Sequence, residues 1–337
     1  MLPDMQEFPQ KTAYRIAGMR AMSGHLSKLL RILIASWGLM SCMAQAQDAL
    51  PWPERIQVQI ARISGIGWRL EDAADRVCTN RLAPIGAEFD YIGAYTARDR
   101  PFIRQVLRLG DAPQIASVVP GGAADKAGLR PADEIVAIDG RGWRDLAAGA
   151  KDPDLLADDI QALTAALPAQ RQLMLTVKRE GQDVDVPVAR RSRCGARFLL
   201  KTGEGLRAYS DTANVAISEA LVEFALNDDE LALVLGHELA HVLYQDKRDM
   251  GVPARRAAEA RADLTGAAIA RCAGFDIARG VGILTRLGKR DWMPLFNAPT
   301  HGSMKHRVKR IRAAVLSAPP TSCPLVSLEI APDGTRP

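Results

Sequence analysis

The sequence predicts an α+β chain in which a mostly helical unit with a small edge sheet is joined to a β-rich unit. Three features carry this reading. Residues 231–244, LALVLGHELAHVLY, form an apolar run with almost no polar interruption, the mark of a helix buried on most sides. Residues 254–273, ARRAAEARADLTGAAIARCA, read as a second helix of high propensity, with Pro253 near its start and Gly274 just past its end. Between about 86 and 190 the texture changes to short apolar runs punctuated by Gly, Pro and Asp, as expected of strands and tight turns.

Residues 1–46 read as a leader. Lys28 and Arg31 precede an apolar run that closes on Ala44-Gln45-Ala46, the layout of a secretory signal peptide, and Met19 or Met22 offers a later start. A competing reading takes Leu39-Met40-Ser41-Cys42 as a bacterial lipoprotein box with Cys42 lipidated. The run is too short for a comfortable membrane span, and no other segment reaches that length. The expectation is an exported, periplasmic chain that touches the membrane only if lipidated at Cys42. The leader holds five of the 44 Lys/Arg and two of the 39 Asp/Glu. The rest therefore carries 39 basic and 37 acidic residues, which gives no case for nucleic-acid binding. Cys78, Cys194, Cys272 and Cys323 remain, an even number compatible with two disulfides in an exported chain. Three pairings are open, and sequence order suggests Cys78–Cys194 and Cys272–Cys323.

About 290 residues beyond the leader are too many for one small core and imply two domains. Residues 47–85 form a helical lead-in, amphipathic over 54–80. In the β-rich unit, 86–190, strands are expected at 114–119, 134–138, 172–179 and 183–188, with a helix over 154–167. Asp139-Gly140 and Glu180-Gly181 mark hairpin turns. A second, mostly helical unit spans 191–317, and residues 318–337 form an irregular tail.

The chemistry gathers in the helical unit. Asn227 is placed to cap the apolar helix, and Glu230 three residues on completes a capping box. Inside that helix stand His237-Glu238-Leu239-Ala240-His241. Positions i and i+4 share a face, so both imidazoles can converge on one ion. Glu238 is rotated about 100° from His237, within reach of a water on that ion without being a ligand. Two neutral imidazoles, an open position and a carboxylate base make a zinc-hydrolase arrangement, expected to hold one zinc per chain. On the second helix Glu259 and Asp263 share a face. Read for chemistry, Glu259 is the third ligand and Asp263 accepts from a ligand histidine's other nitrogen, fixing its tautomer. Read blandly, both are solvated charges paired to Arg255, Arg256 and Arg261.

HELAH at 237–241 with EARAD at 259–263 resembles the HExxH…ExxxD zinc metallopeptidases (gluzincins) of the HtpX and CAAX-prenyl-protease family, over roughly residues 195–315. The resemblance implies zinc held by His237, His241 and Glu259, with Glu238 as general base and acid. Members tend to carry a histidine in a downstream Thr-His-Pro segment that polarises substrate or fills the open metal position. Here the segment reads Thr300-His301-Gly302, which lacks the proline; His301 is the counterpart, and His306 is a weaker one. The string VVPGGAADKAGLRPADEIVAIDG resembles a PDZ domain of the bacterial protease type, with Ala132-Asp133 in place of the usual Gly-Asp. Such domains add a peptide strand to a groove between a strand and a helix. The groove is expected between residues 102–109 and the 154–167 helix, and no Gly-rich carboxylate loop stands out.

The expected function is therefore an exported zinc metalloendopeptidase acting on protein or peptide substrates. Its PDZ-like unit would select or gate them, and the resemblance implies envelope protein quality control as the setting. Substrate is expected to add as a strand along Asn214-Val215-Ala216-Ile217-Ser218, read as the edge of the small sheet. The alternative is a non-catalytic PDZ-type peptide-binding protein or chaperone with a structural or latent zinc site. Retention of Glu238 weighs against it, because a structural site needs no base.

Overall fold

A computed structural model describes residues 50–203, 205–247, 249–290, 303–313 and 323. The leader, Cys42, His301 and all of the 318–337 tail except Cys323 lie outside the described residues.

The lead-in is one helix, α1 (Trp52–Ala74), with Pro53 in its first turn, where a missing N–H costs nothing. Its residues Ile63, Ile66, Leu70 and Ala74 enter the main hydrophobic core. The chain then passes through β1 (Arg81–Leu82) into the β-rich unit. There β2 (Ala87–Asp90), α2 (Arg100–Leu107), β3 (Gln114–Val118), α3 (Ala123–Lys126) and β4 (Glu134–Ile138) are followed by β5 (Arg141–Gly142) and α4 (Trp143–Gly149). Helix α5 (Leu156–Ala166) and strands β6 (Leu173–Arg179) and β7 (Gln182–Val188) complete it. The sheet runs β2-β3-β4-β6-β7, with β5 beside β4, and has its own core around Ile115, Ile135, Leu156, Leu173 and Leu175. Asp139-Gly140 and Glu180-Gly181 close the two hairpins with both residues of each pair at positive φ, the geometry that selects such dipeptides.

Residues 102–109, expected to form the strand wall of a groove, are mostly helical instead. Pro101 in the first turn of α2 starts the helix, and Ile103 anchors it in a small cluster with Ile92, Tyr95 and Leu109. The strand beside α5 is β2.

Strand β8 (Arg193–Cys194) returns to pair with β1, and the Cys78–Cys194 disulfide closes the same neck. Beyond it lie β9 (Arg197–Lys201), β10 (Ala208–Ser210) and β11 (Asn214–Ser218), in the order β10-β11-β9. The segment 214–218, expected at the edge, is thus the middle strand, parallel to β9 and antiparallel to β10. Val215, Ala216 and Ile217 are buried in succession, as a strand covered on both faces requires. Among the described residues the open edges belong to β10 and β9.

The helical unit comprises α6 (Glu219–Phe224), α7 (Asp228–Tyr244), α8 (Val252–Cys272), α9 (Ile277–Gly280), α10 (Gly282–Arg290) and α11 (Met304–Ile311). Asn227 caps α7 by accepting from the Glu230 N–H at 3.1 Å. Glu230 does not return the bond to Asn227: its carboxylate takes the Leu226 N–H at 2.8 Å and pairs with Arg286 of α10. The expected capping box is therefore half formed. Helices α7 and α8 cross where Gly236 meets Gly266. A Cβ on Gly266 would lie 2.5 Å from the Gly236 carbonyl carbon and the His237 nitrogen, so only glycine allows this approach. The Cys272–Cys323 disulfide ties the end of α8 to the tail. Among the described residues no helix is long and apolar enough to cross a membrane.

Candidate metal centre

The Gly236–Gly266 contact sits one residue before His237 and two turns after Glu259, so it brings both helices' polar side chains into one buried cluster. His237, Glu238, Glu259 and Asp263 are all buried at the crossing. Glu259 and Asp263 are not on a solvated face.

The donor atoms converge. His237 Nε2 lies 3.2 Å from His241 Nε2 and 3.2 Å from Glu259 Oε2, and His241 Nε2 lies 3.7 Å from that same oxygen. Ligands at about 2.0–2.1 Å around a tetrahedral ion stand about 3.3–3.4 Å apart, so these three atoms outline one face of a zinc tetrahedron. The other ring nitrogens face carboxylates: His237 Nδ1 meets Asp263 Oδ1 at 3.1 Å, and His241 Nδ1 meets Asp246 Oδ2 at 2.8 Å. Each carboxylate holds the proton on Nδ1 and leaves the Nε2 lone pair pointing inward. Two such lone pairs 3.2 Å apart need a cation or a shared proton between them. The donor set, two imidazoles and a carboxylate with a fourth direction left over, fits zinc.

Electrostatics follow from this packing. Burial alone would lower the His237 pKa, but its bonds to Asp263 and Glu259 win and raise it to about 9 in the metal-free protein. Burial pushes Asp263 up, yet His237 and Arg307 hold it well below the usual carboxylate range. His241 is raised too, its bond to Glu259 outweighing desolvation. Glu238 is not part of the ligand triangle; its Oε2 accepts a 2.8 Å hydrogen bond from Ser210 Oγ on the edge strand β10.

Four positions here were not singled out in the sequence. Asp246, just past the end of α7, orients His241 and is itself gripped by Arg261 at 2.5 Å. Ser210 comes from a strand three residues long. Arg307 of α11 is buried and reaches Asp263 at 2.6 Å, with its other contact 3.4 Å from His237 Nδ1; Arg310 also pairs with Asp263. The periodic stripe Met304, Arg307, Val308 and Ile311 is the one signal that α11 faces inward. His306 lies exposed on α11, and His301 falls outside the described residues.

Two comparisons bear on the centre. Residues 198–254 match Peptidase family M48. Residues 114–147 match the PDZ domain. Together the matches support an M48 metallopeptidase with a PDZ domain, and M48 peptidases are zinc-dependent. The M48 match spans His237, Glu238 and His241 and ends before Glu259. A solved structure of the HtrA-type protease AlgW with a decapeptide is similar at 23% identity. That likeness covers 33% of this chain and 29% of that one, with a TM-score of 0.25. No curated protein sequence matches the chain.

Proposed function

We propose that the chain is an exported zinc-dependent metalloendopeptidase of the HtpX and CAAX-prenyl-protease type, with the PDZ-like unit selecting or gating its substrates. The observation that carries this reading is the triangle of His237, His241 and Glu259 donor atoms with Glu238 beside it but outside it. In this reading those three residues hold one zinc per chain. When bound, zinc would polarise the scissile carbonyl and acidify a water.

The chain's own residues supply the rest. Asp263 and Asp246 fix both imidazoles as Nε2 donors. Glu238 accepts the proton of the attacking water and returns it to the leaving amine, so that one carboxylate serves as base and then acid. Ser210 holds one Glu238 oxygen and leaves the other for that exchange. Because Ser210 belongs to β10, whose outer edge is unpaired among the described residues, a substrate strand added there would run past Glu238. Strand β10 thus takes the place first assigned to 214–218. His301 remains proposed as a group that polarises substrate or fills the open position. The leader supports a periplasmic location, free or tethered through Cys42, and envelope protein quality control is the setting the resemblance implies.

Purified wild type and Glu238→Gln should both hold near-stoichiometric zinc, and only the wild type should cleave casein. Absence of zinc, or equal cleavage by the variant, would overturn the assignment.

A further inference from the structure

A cavity of about 260 Å³ lies between the PDZ-like unit and the helical unit. Its lining comes from β2 and α5 of the β-rich unit, from β9, and from α1. Among the described residues both strands end their sheets, and consecutive residues of each, 87–90 and 197–200, line the cavity. An extended segment is the occupant such edges accept.

Side-chain chemistry narrows the occupant. On β2, residues Glu88 and Asp90 share a face and point at α1, away from Phe89, which packs on the core of the β-rich unit. Glu88 Oε1 accepts from Ser64 Oγ at 2.6 Å, and Asp90 Oδ2 accepts from Gln57 Nε2 at 2.8 Å and from the Tyr95 hydroxyl at 2.9 Å. Asp158 and Glu71 also line the cavity, but each has a cation: Arg197 at 2.9 Å and Arg193 at 3.3 Å. No arginine or lysine forms an ion pair with Glu88 or Asp90 among the described residues. Burial pushes both carboxyls above their usual range; neutral hydrogen bonds, and for Glu88 the charge of Arg197 as well, only partly offset that. A half-buried carboxylate with polar partners and no ion-paired cation is stabilised by an incoming cation, and Asp90 has the greater need because Arg197 of the same cavity already acts on Glu88. A free C-terminal carboxylate would instead meet Glu88 and Asp90, and the nearby arginines Arg197 and Arg193 are already engaged by Asp158 and Glu71.

We propose that this cavity binds an extended peptide segment that adds along β2 and sets a lysine or arginine against Glu88 and Asp90. The ligand class is thus an internal or amidated basic segment, and C-terminal capture is not the mode. The proposal rests on reading 86–190 as a peptide-binding unit and specifies what that unit takes. Helix α1 gives the site a route to the metal centre, because it lines the cavity through Gln57, Ser64 and Trp68 and packs through Ile63 and Leu70 on the core shared with α7 and α8.

The test uses the full chain carrying Glu238→Gln, which cannot consume the probe, and fluorescence anisotropy of labelled, Val/Thr-rich extended peptides. A peptide with a central lysine should bind, its Lys→Glu counterpart should bind at least about tenfold more weakly, and amidation should change nothing. Glu88→Gln with Asp90→Asn should remove that lysine preference. The peptide series on the unaltered cavity decides the matter even if the double variant does not fold. No binding, equal affinity for the two peptides, a requirement for a free C-terminus, or a preference that survives in a folded double variant would each overturn the proposal. Failure of the peptidase assignment would show as lost zinc or lost cleavage, and the binding result would stand apart from it.

Discussion

Replacing Gly266 by alanine probes the contact that assembles the centre. The new methyl would sit 2.5 Å from the Gly236 carbonyl carbon and from the His237 backbone nitrogen, and 2.6 Å from the Gly236 oxygen. An ordinary contact needs about 3.4–4 Å. All three obstacles are backbone atoms of α7, so no side chain can turn aside. The helices must therefore part by about 1 Å, and overpacking of this kind costs roughly 1–3 kcal/mol. At about 2–4 °C per kcal/mol for a domain of this size, Tm should fall by several degrees. Glu259 travels with α8, so its oxygen should leave the His237 and His241 nitrogens, now 3.2 and 3.7 Å away, by a similar amount. A shift of about 1 Å far exceeds the roughly 0.2 Å spread of zinc–ligand distances, so zinc affinity should drop at least about tenfold. Zinc content after dialysis against a weak chelator, read beside a thermal melt, is the assay. Gly65→Ala is the control, since that glycine lies in α1 with nothing within 4 Å, and the change should raise Tm without altering zinc. A Gly266→Ala protein with full zinc and an unchanged melt would refute the crossing as the determinant of the site.

Asp246→Asn should weaken zinc binding by about 10–100-fold in a chelator competition, because His241 Nδ1 loses its charged acceptor; unchanged affinity would mean that Asp246 does not orient the ring. Arg307→Met leaves the buried Asp263 short of one cation and should cost about 3–5 kcal/mol in a urea titration, whereas a loss below about 1 kcal/mol would show that Arg310 suffices. Zinc needs neutral His237, whose metal-free pKa is raised to about 9, so below that pH zinc must displace a proton and its affinity should climb as pH rises. Calorimetry at pH 7 in buffers of different ionisation enthalpy should register about one proton released per zinc, and no release would contradict the raised pKa. Removing the Cys78–Cys194 bridge by a double Cys→Ser change frees a loop of 116 residues and should cost about 2–5 kcal/mol; an unaltered denaturation midpoint would discount its role.

Local signals served well where the chemistry is local. Asn227 starts α7, Pro253 opens α8, and the two positive-φ dipeptides close the hairpins because each choice depends on a few neighbouring residues. The 214–218 segment shows the limit. Its apolar character was plain, but edge or centre depends on whether 197–201 and 208–210 come alongside, and the unbroken burial of Val215, Ala216 and Ile217 was the available hint. Residues 102–109 carried a short apolar run compatible with strand or helix, and Pro101 was the cue that favoured helix. In the metal centre, HELAH announced itself through a spacing of four. Ser210 and Arg307 join it only through tertiary contacts at 28 and 70 positions from their partners, where no spacing rule applies, and Asp246, five past His241, reaches back only because the chain turns at the end of α7.

The neck between the two units has a consequence for how such a chain can be assembled and taken apart. Cys78 and Cys194 stand 5.4 Å apart at their Cα atoms, and β1 pairs with β8 directly beside them, so the whole β-rich unit leaves and re-enters the helical unit through one stapled doorway. That is the topology of a guest inserted into a host. The host's α1 lies before the doorway and β9 after it, and both still meet in the same core. A short turn spliced between residues 82 and 193 should therefore yield a folded host without its guest. Gln57, Ser64 and Glu71 would then face water beside the apolar Ile56, Ile60 and Trp68, so those three are the positions where the cut surface needs polar replacements.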